Sequence, residues 1–412
     1  MVAVIDFFAG AGGLTTGFQN AGCECIAAVD INKNACATLK TNHPGMVVIH
    51  KDIKDVTEAD LVPLVPKGGT LVICAGIPCQ GISLAGKTPN TPDVTDYLYK
   101  EVIKLGKKLG AAVILFENVG NILRKPSVTG KTLLDDIVEE LEDNGYHVIF
   151  KKLNAVDFEV PQKRERVFIA AFRSVEAMNK FEWPTPVEGF DPRYKTIMQD
   201  EYGIDAAYEK YGYDVIMSPE KTKYYLERQR ERPQYVGIFN RNNIPRTLRA
   251  GYMKSRGAEA LFWTKEHHLR MMTIPECMRI QTFPDTYEFV GPPGSIYQQI
   301  GNAVPVKLAT HVAVSLVKCF LTENDKFLKV IKAIKKTKKT IKVRENRENR
   351  ENRDDEVDYE VDYIVDHKTT RNGTRFLIKW RGYDSKHNSW EPESNMSCPE
   401  KLVAYWSSQN KS

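Results

Sequence analysis

Across roughly the first 175 residues, short apolar runs alternate with helical patterns, and no other feature of the chain constrains its fold as tightly. Val2–Phe8, Glu24–Val29, Leu71–Cys74, Ala112–Phe116, Val148–Leu153 and Val167–Phe172 read as strands. Leu14–Asn20, which Gly22 is placed to end, and Lys131–Asn144, closed by Gly145, read as helices between them. This alternation predicts an α/β fold built on a doubly wound, mostly parallel sheet. In such sheets ligands sit beyond the carboxyl ends of the strands, so residues at those ends are the candidates for chemistry.

The pattern then changes. Residues 176–265 are punctuated by prolines from Pro184 to Pro245 and have weak periodicity, which predicts a smaller, irregular domain inserted into the first. Residues 266–325 return to compact patterning, and the apolar run Val306–Leu321 predicts a helix packing back on residues 1–175. Residues 326–354 form a basic low-complexity linker: Lys326 to Arg353 holds eight lysines and four arginines against three glutamates. A polyanionic partner, a nuclear-import signal and a solvated linker all fit such a tract. Residues 355–412 form a last small module. Tyr359–Asp366, Thr374–Trp380 and Ser389–Glu391 read as its strands, Arg371–Thr374 as a hairpin turn and Pro399–Gln409 as a closing helix.

Composition excludes several classes. Hydrophobic content of 42% and charged content of 27% fit a globular chain. No run of apolar residues in the sequence reads as a membrane span, and Met-Val-Ala-Val-Ile-Asp at the start reads as a strand rather than a secretory signal. None of the eight cysteines forms a CxxC pair and no histidines stand at zinc-ligand spacing, so no metal and a reducing compartment are expected.

Six features fall at the ends of predicted strands or just ahead of one. The glycine-rich turn Phe8-Ala9-Gly10-Ala11-Gly12-Gly13 follows the first strand, where backbone can approach a ligand closely. Its spacing departs from GxGxxG, which disfavours a nicotinamide cofactor. Asp30 ends the second strand, within reach of ribose hydroxyls, and Asp52 follows another. Pro78-Cys79-Gln80 follows Leu71–Cys74, where a thiol can be a nucleophile, although most cysteines only fill cores. Glu117 ends Ala112–Phe116, and Arg164 and Arg166 lie on one side of the chain entering Val167–Phe172. A thiol, a carboxyl and two guanidinium groups on one edge suit a polar, electrophilic ring.

In order, Asp6–Gly13, Pro78-Cys79-Gln80, Glu117-Asn118-Val119, Gln162-Lys163-Arg164-Glu165-Arg166 and Gly301-Asn302-Ala303-Val304-Pro305 resemble the DNA (cytosine-5)-methyltransferases. Thr273-Ile274-Pro275-Glu276-Cys277 and Gln281-Thr282-Phe283-Pro284 belong to the same likeness, which spans residues 1 to about 322. The resemblance implies S-adenosylmethionine as cofactor, cradled by Phe8, Ala9, Gly10, Gly12 and Gly13. It implies Asp30 and Ile31 at the ribose and its surroundings, Asp52 and Ile53 at the adenine, and Leu98 and Asn302 completing the pocket. Asp93-Val94-Thr95 departs from the family's Asp-x-Arg there.

By the same resemblance Cys79 adds to carbon 6 of a flipped cytosine, Glu117 offsets charge at ring nitrogen 3, Arg164 meets the base carbonyl and Arg166 orients Glu117 or Arg164. Pro78 stiffens the loop. Double-stranded DNA is the implied partner, with Gln80, Ser83, Arg241, Arg249 and Lys254 as contacts, and residues 176–265 take the place of the target-recognition domain. Transfer-RNA cytosine-5 methyltransferases share this core, but their Cys-Phe-Thr signature is absent. A catalytically silent chromatin adaptor is a third reading, against which the intact Cys79, Glu117, Arg164 and Arg166 stand.

Phe376–Tyr383 and Asn388–Asn395 resemble a chromodomain, matching from about Glu356 to Asn410. This implies an aromatic cage of Tyr359, Trp380 and Tyr383 for a methylated ammonium, held by cation–π attraction. It also implies Trp390 in the core, Asp355–Val361 pairing with a methylated histone tail, and a nuclear location. His387 stands where heterochromatin readers often carry an acidic residue, which leaves the preferred methylation state open.

Overall fold

The fold was obtained as a computed structural model. It describes residues 2–78, 97–198, 201–232, 236–255, 260–264, 267–320, 361–370, 373–380 and 384–392. Two compact units divide the chain, Met1–Leu328 and Lys329–Ser412.

The first unit is built on seven strands: β1 (Val2–Phe7), β2 (Glu24–Asp30), β3 (Val47–His50), β4 (Thr70–Gly76), β5 (Val113–Val119), β6 (His147–Asn154) and β7 (Glu165–Phe172). They form one sheet in the order β3-β2-β1-β4-β5-β7-β6. Neighbours are parallel from β3 to β5, and β7 runs antiparallel to both β5 and β6. The crossovers reverse direction between β1 and β4, which opens a crevice there at the carboxyl edge.

Helices cover both faces. They are α1 (Gly13–Asn20), α2 (Lys33–Asn42), α3 (Glu58–Leu61), α4 (Tyr99–Lys108), α5 (Leu133–Asp143) and α6 (Val175–Lys180). Strand residues alternate between two apolar cores, as period-two geometry requires. Ile5, Ile73, Ile114 and Ile169 pack with Val102 of α4 and Ile137 of α5. Val4, Val72, Leu115 and Phe168 pack with Phe18 of α1 and with the late helix α11 (Val306–Lys318). The chain from Pro293 to Lys318 is long and apolar enough to cross a membrane by length and composition, but most of it is buried inside the fold.

Residues 194–306 share a third core. Its elements are α7 (Glu201–Tyr211), α8 (Pro219–Glu231), the two-residue strands β8 (Phe262–Trp263) and β9 (Leu269–Arg270), α9 (Ile274–Ile280) and α10 (Pro293–Asn302). This segment is therefore more helical than its prolines predict. Among the described side chains of α8 only Thr222 and Tyr225 are buried, so no apolar stripe marks it in the sequence. Its core also runs past residue 265, because Met271, Met278, Phe283 and Ile300 pack with Tyr194, Val236 and Leu248.

The second unit holds a three-stranded antiparallel sheet of β10 (Val361–Thr370), β11 (Gly373–Trp380) and β12 (Ser389–Pro392). Thr370 pairs with Gly373 across the hairpin expected there. Ile364, Phe376 and Ile378 form its core, with Val361 and Trp380 packed against them. The helix expected at Pro399–Gln409 lies outside the described residues.

Helices α1 and α11 approach so closely that a Cβ on Gly17 would overlap Ala309 Cβ and lie 2.9 Å from Thr310 N. Gly17→Ala is expected to cost about 1–3 kcal/mol through overpacking. Urea unfolding checks this as a lower midpoint at unchanged slope.

Candidate active site

The carboxyl edge of the sheet brings β1, β4, β5 and β7 together. Glu117 pairs with Gly76 of β4 on one side and with Phe168 of β7 on the other. Arg166 pairs with Val119, two residues along, so it shares a sheet face with Glu117 as a diagonal neighbour. Arg166 Nε lies 2.8 Å from Glu117 Oε1, both side chains being nearly buried. The contact is an ion pair that leaves Oε1 without a well-directed hydrogen bond. Burial pushes the Glu117 carboxyl above its usual range, and the guanidinium groups of Arg166 and Arg164 pull it back only in part.

The turn leaving β4 is tied to the same place. Ile77 N donates to the Glu117 carbonyl at 3.2 Å, and Asn118 Nδ2 donates to the Ile77 carbonyl at 3.4 Å. Pro78 is thereby held beside Glu117. Cys79, Gln80 and Ser83 lie outside the described residues.

Arg164 differs from expectation. Its guanidinium donates to the carbonyls of Leu248 (2.8 Å), Gly301 (3.0 Å) and Ala303 (3.0 Å), and the residue is only 2% exposed. It precedes β7 instead of lying in it, so it points into the join between the sheet and the small lobe formed by the third core. Arg166 is the guanidinium at the Glu117 carboxylate. Beside Arg164, Gln162 accepts from Leu248 N at 2.7 Å and donates to Gln281 Oε1 at 3.1 Å. Gln281 Nε2 donates on to the Ile300 carbonyl at 2.7 Å. Sequence reasoning reached Gln162 and Gln281 only as motif letters; nothing in their spacing shows that they meet.

The glycine turn closes tightly after β1. Phe8 has φ 54°, a left-handed conformation uncommon outside glycine, and Gly10 and Gly12 share the positive sign at 55° and 84°. Ala9 N donates to the Val29 carbonyl at 3.1 Å and Gly12 N to the Ala9 carbonyl at 2.9 Å. Asp30 Oδ2 accepts from Gly10 N, and Oδ1 from Asn32 N, each at 2.7 Å. The Ile31 backbone also donates to this carboxylate, which can accept about four hydrogen bonds, so room remains for a hydroxyl donor. Ile31 is 65% exposed beside it, an apolar surface on which a flat ring can rest. Asp52 Oδ1 caps the turn Ile53–Asp55 through Lys54 N at 3.0 Å, and Ile53 is buried. Leu98 is half-buried and packs on the same core as Phe8 and Ile49. Asn302 is exposed at the end of α10.

Asp6, buried in β1, anchors the helix that follows the turn by accepting from Thr15 N at 3.0 Å and Thr15 Oγ1 at 2.6 Å. Burial pushes its carboxyl up to about 7 in spite of these bonds.

The candidate DNA contacts Arg241, Arg249 and Lys254 are exposed. An open cavity of about 430 Å³ is lined by Lys163, Arg246, Thr247 and Arg249, so two further cations stand near Arg249. Arg241 and Lys254 do not line it.

Residues 2–318 match the C-5 cytosine-specific DNA methylase family. The chain belongs to that family. It is 33% identical over 346 residues to the type II methyltransferase M.PspPI of Psychrobacter sp. (strain TA137), covering 77% of this chain and 79% of that one. It is 32% identical to M.FnuDI of Fusobacterium nucleatum, over 80% of this chain and 97% of that one. In fold the methylase is similar to S. pombe Dnmt2 methyltransferase (TM-score 0.59, 18% identity, 78% and 100% covered). It is likewise similar to Entamoeba histolytica methyltransferase EhMeth (TM-score 0.61, 16% identity, 78% and 99% covered). The methylase therefore has the S-adenosylmethionine-dependent methyltransferase fold, and its methyl donor is S-adenosylmethionine. The remaining acceptor capacity of Asp30, exposed Ile31 and the tight backbone turn fit that cofactor.

Residues 359–408 match the Chromo (chromatin organisation modifier) domain. Trp380 packs on the core of this unit, and its indole N–H donates to Ser389 Oγ at 3.0 Å. Trp390, expected in the core, is only half-buried: Lys368 Nζ sits 4.1 Å from its ring centroid. His387 Nδ1 lies 2.7 Å from Asp384 Oδ1, which leaves an acidic group at this turn after all. Tyr359 and Tyr383 lie outside the described residues. No group of three or more His, Cys, Asp or Glu at metal-binding geometry occurs among the described residues.

The two arginines should separate by experiment. Arg164→Met strands three buried carbonyls and is expected to cost roughly 3 kcal/mol or more of stability. Arg166→Met removes a cation that lowers the Glu117 pKa, so that carboxyl should titrate at still higher pH. Denaturant midpoints check the first outcome and carboxyl 13C chemical shifts against pH the second.

Proposed function

We propose that the methylase domain modifies cytosine in duplex DNA through a covalent adduct on Cys79. The observation that carries this reading is the buried pair of Glu117 and Arg166, held by backbone bonds beside Pro78. Cys79 follows Pro78 directly.

Carbon 5 of cytosine is a weak nucleophile. Addition of the Cys79 thiolate at carbon 6 makes the ring enamine-like and nucleophilic at carbon 5. S-adenosylmethionine supplies an electrophilic methyl group for that carbon when bound. Glu117, which burial keeps protonated to higher pH than a free carboxyl, donates to ring nitrogen 3 and offsets the charge that develops there. Arg166 holds Glu117 in place and offers its remaining donors to the base carbonyl. Arg164 supports both from the seam behind them. Loss of the carbon 5 proton to a base then expels Cys79 as the thiolate, and Glu117 takes its proton back from ring nitrogen 3. The target atom is inaccessible inside a stacked duplex, so the base must be flipped out, at a cost of a few kcal/mol.

Phe8, Ala9, Gly10, Gly12 and Gly13, with Asp30, Ile31, Asp52, Ile53, Leu98 and Asn302, would hold the cofactor. Gln80, Ser83, Arg241, Arg249 and Lys254 would meet DNA, with Lys163 and Arg246 added on the evidence of the cavity they share with Arg249. The small lobe, whose core runs on to Ile300, would carry target recognition.

Cys79→Ala is expected to abolish methyl transfer to unmethylated duplex DNA while leaving DNA affinity unchanged. Tritium transfer and filter binding measure the two, with transfer RNA as a parallel substrate. Turnover by the variant, or transfer to the RNA alone, contradicts the reading.

The chromodomain would read methylated lysine on a histone tail through Tyr359, Trp380 and Tyr383 and so direct the enzyme to chromatin in the nucleus. The family match and the half-buried indole of Trp380 support this. Loss of one cage aromatic removes a cation–π contact, so Trp380→Ala should weaken binding to a trimethyl-lysine histone peptide by roughly tenfold or more. Calorimetry with methylated and unmethylated peptides decides it; equal affinity for both contradicts the cage.

A further inference from the structure

His43, the residue that ends α2, is a buried histidine with no part in the reaction described above. Its ring lies between two elements. Nδ1 is 2.8 Å from Gln19 Oε1 on α1, and Nε2 is 3.0 Å from Tyr287 Oη. Tyr287 is also buried, on the segment between α9 and α10, and its Oη lies 2.5 Å from the Ala11 carbonyl oxygen inside the glycine turn.

The protons in this chain can be assigned. A carbonyl only accepts, so Tyr287 must spend its single hydroxyl hydrogen on Ala11. Its oxygen can then only accept from His43, which fixes the ring as the Nε2–H tautomer. Burial holds His43 down at about 4, so the ring is neutral and Nδ1 is an acceptor. The Gln19 amide, placed with Oε1 toward Nδ1, is therefore assigned the flipped orientation that puts its NH2 group there, since heavy-atom positions alone do not distinguish the two. The result is a one-way chain, Gln19 to His43 to Tyr287 to Ala11. In a trans peptide the carbonyl and the next N–H point opposite ways. Fixing the Ala11 carbonyl thus aims Gly12 N at the Ala9 carbonyl, the bond that closes the turn.

On the side of the glycine turn there is no spare room, whereas on the other side Gln19, His43 and Tyr287 line an open cavity of about 360 Å³. A Cβ on Gly12 would lie 2.8 Å from Tyr287 Oη and 3.0 Å from His43 Nε2. The Tyr287 ring is itself wedged by Phe283 and Phe289, at centroid distances of 4.7 and 5.3 Å. The segment carrying it is latched to α2, where Asn42 exchanges hydrogen bonds with the backbone N–H and carbonyl of Glu288 at 2.8 and 2.7 Å.

We propose that His43 and Tyr287 are positioning residues for the methyl donor: a buried strut, anchored outside the sheet, that holds the glycine turn in its cofactor-binding shape from behind. This rests on the assignment of that turn to S-adenosylmethionine.

Tyr287→Phe deletes the hydroxyl and keeps the wedged ring. One neutral hydrogen bond is at stake, so KM for S-adenosylmethionine should rise roughly three- to tenfold. Both kcat and the Kd for duplex DNA should stay within about twofold, the split expected when only binding of one substrate is lost. His43→Ala should act alike, and the double variant no worse than His43→Ala alone, because both cut one chain. Asp30→Ala serves as the arbiter for the turn. If it weakens cofactor affinity while Tyr287→Phe changes KM by less than about twofold, the strut is wrong and the turn assignment stands. If Asp30→Ala has no effect, both fall. A parallel drop in kcat, cofactor affinity and DNA affinity in Tyr287→Phe would mean a merely structural tyrosine and would overturn the proposal.

Discussion

Three buried carbonyls converge on one guanidinium, and the site depends on that junction. Arg164 gathers the carbonyls of Leu248, Gly301 and Ala303. Gln162 and Gln281 extend the join to Leu248 N and the Ile300 carbonyl. Bonds to a charged donor are about twice as strong as neutral ones, and unpaired buried groups are costly. The seam therefore admits one relative placement of sheet and small lobe. That placement seats the segment of Leu248 and the end of α10 against Arg164, just ahead of the strand that carries Arg166.

The two arginines show how two letters of one motif divide their work. They are two residues apart, but the strand begins between them. Arg164 lies in the turn and serves the join. Arg166 lies in the strand, on the face it shares with Glu117. Burial raises the Glu117 carboxyl while the neighbouring cations lower it, and burial wins. A carboxyl so placed keeps its proton into a pH range where a free one would have lost it. Stability gained from that neutral form is greatest at low pH and is lost as pH rises through the raised value.

Much of this was legible in the residues. The alternation of β and α signals gave the sheet, because buried parallel strands are short apolar runs that need helices between them. Thr273-Ile274-Pro275-Glu276, met first as a motif, is a helix start: Thr273 and Glu276 form a capping box and Pro275 sits in the first turn. Glu276 also holds buried Arg270 in a two-bonded pair at 2.8 and 2.9 Å, which no local pattern announces. What stayed hidden was long-range. Gln162 meets Gln281 across 119 positions, and Tyr287 meets Ala11 across 276. Pattern reading sees neighbours at two, three and four residues, and such partners leave no periodic trace. Helix α8 leaves little trace in the sequence for a different reason, since it presents few buried side chains.

The proposed reaction depends on a thiol adduct at Cys79. A duplex carrying 5-fluorocytosine at the target position tests it, because fluorine at carbon 5 cannot leave as a proton and the adduct cannot collapse. With S-adenosylmethionine present, the protein should form a complex with this duplex that survives denaturation, and peptide mass mapping should place the link on Cys79. Methylation of ordinary duplex without any such trapped complex, or a link to another residue, would contradict the central claim.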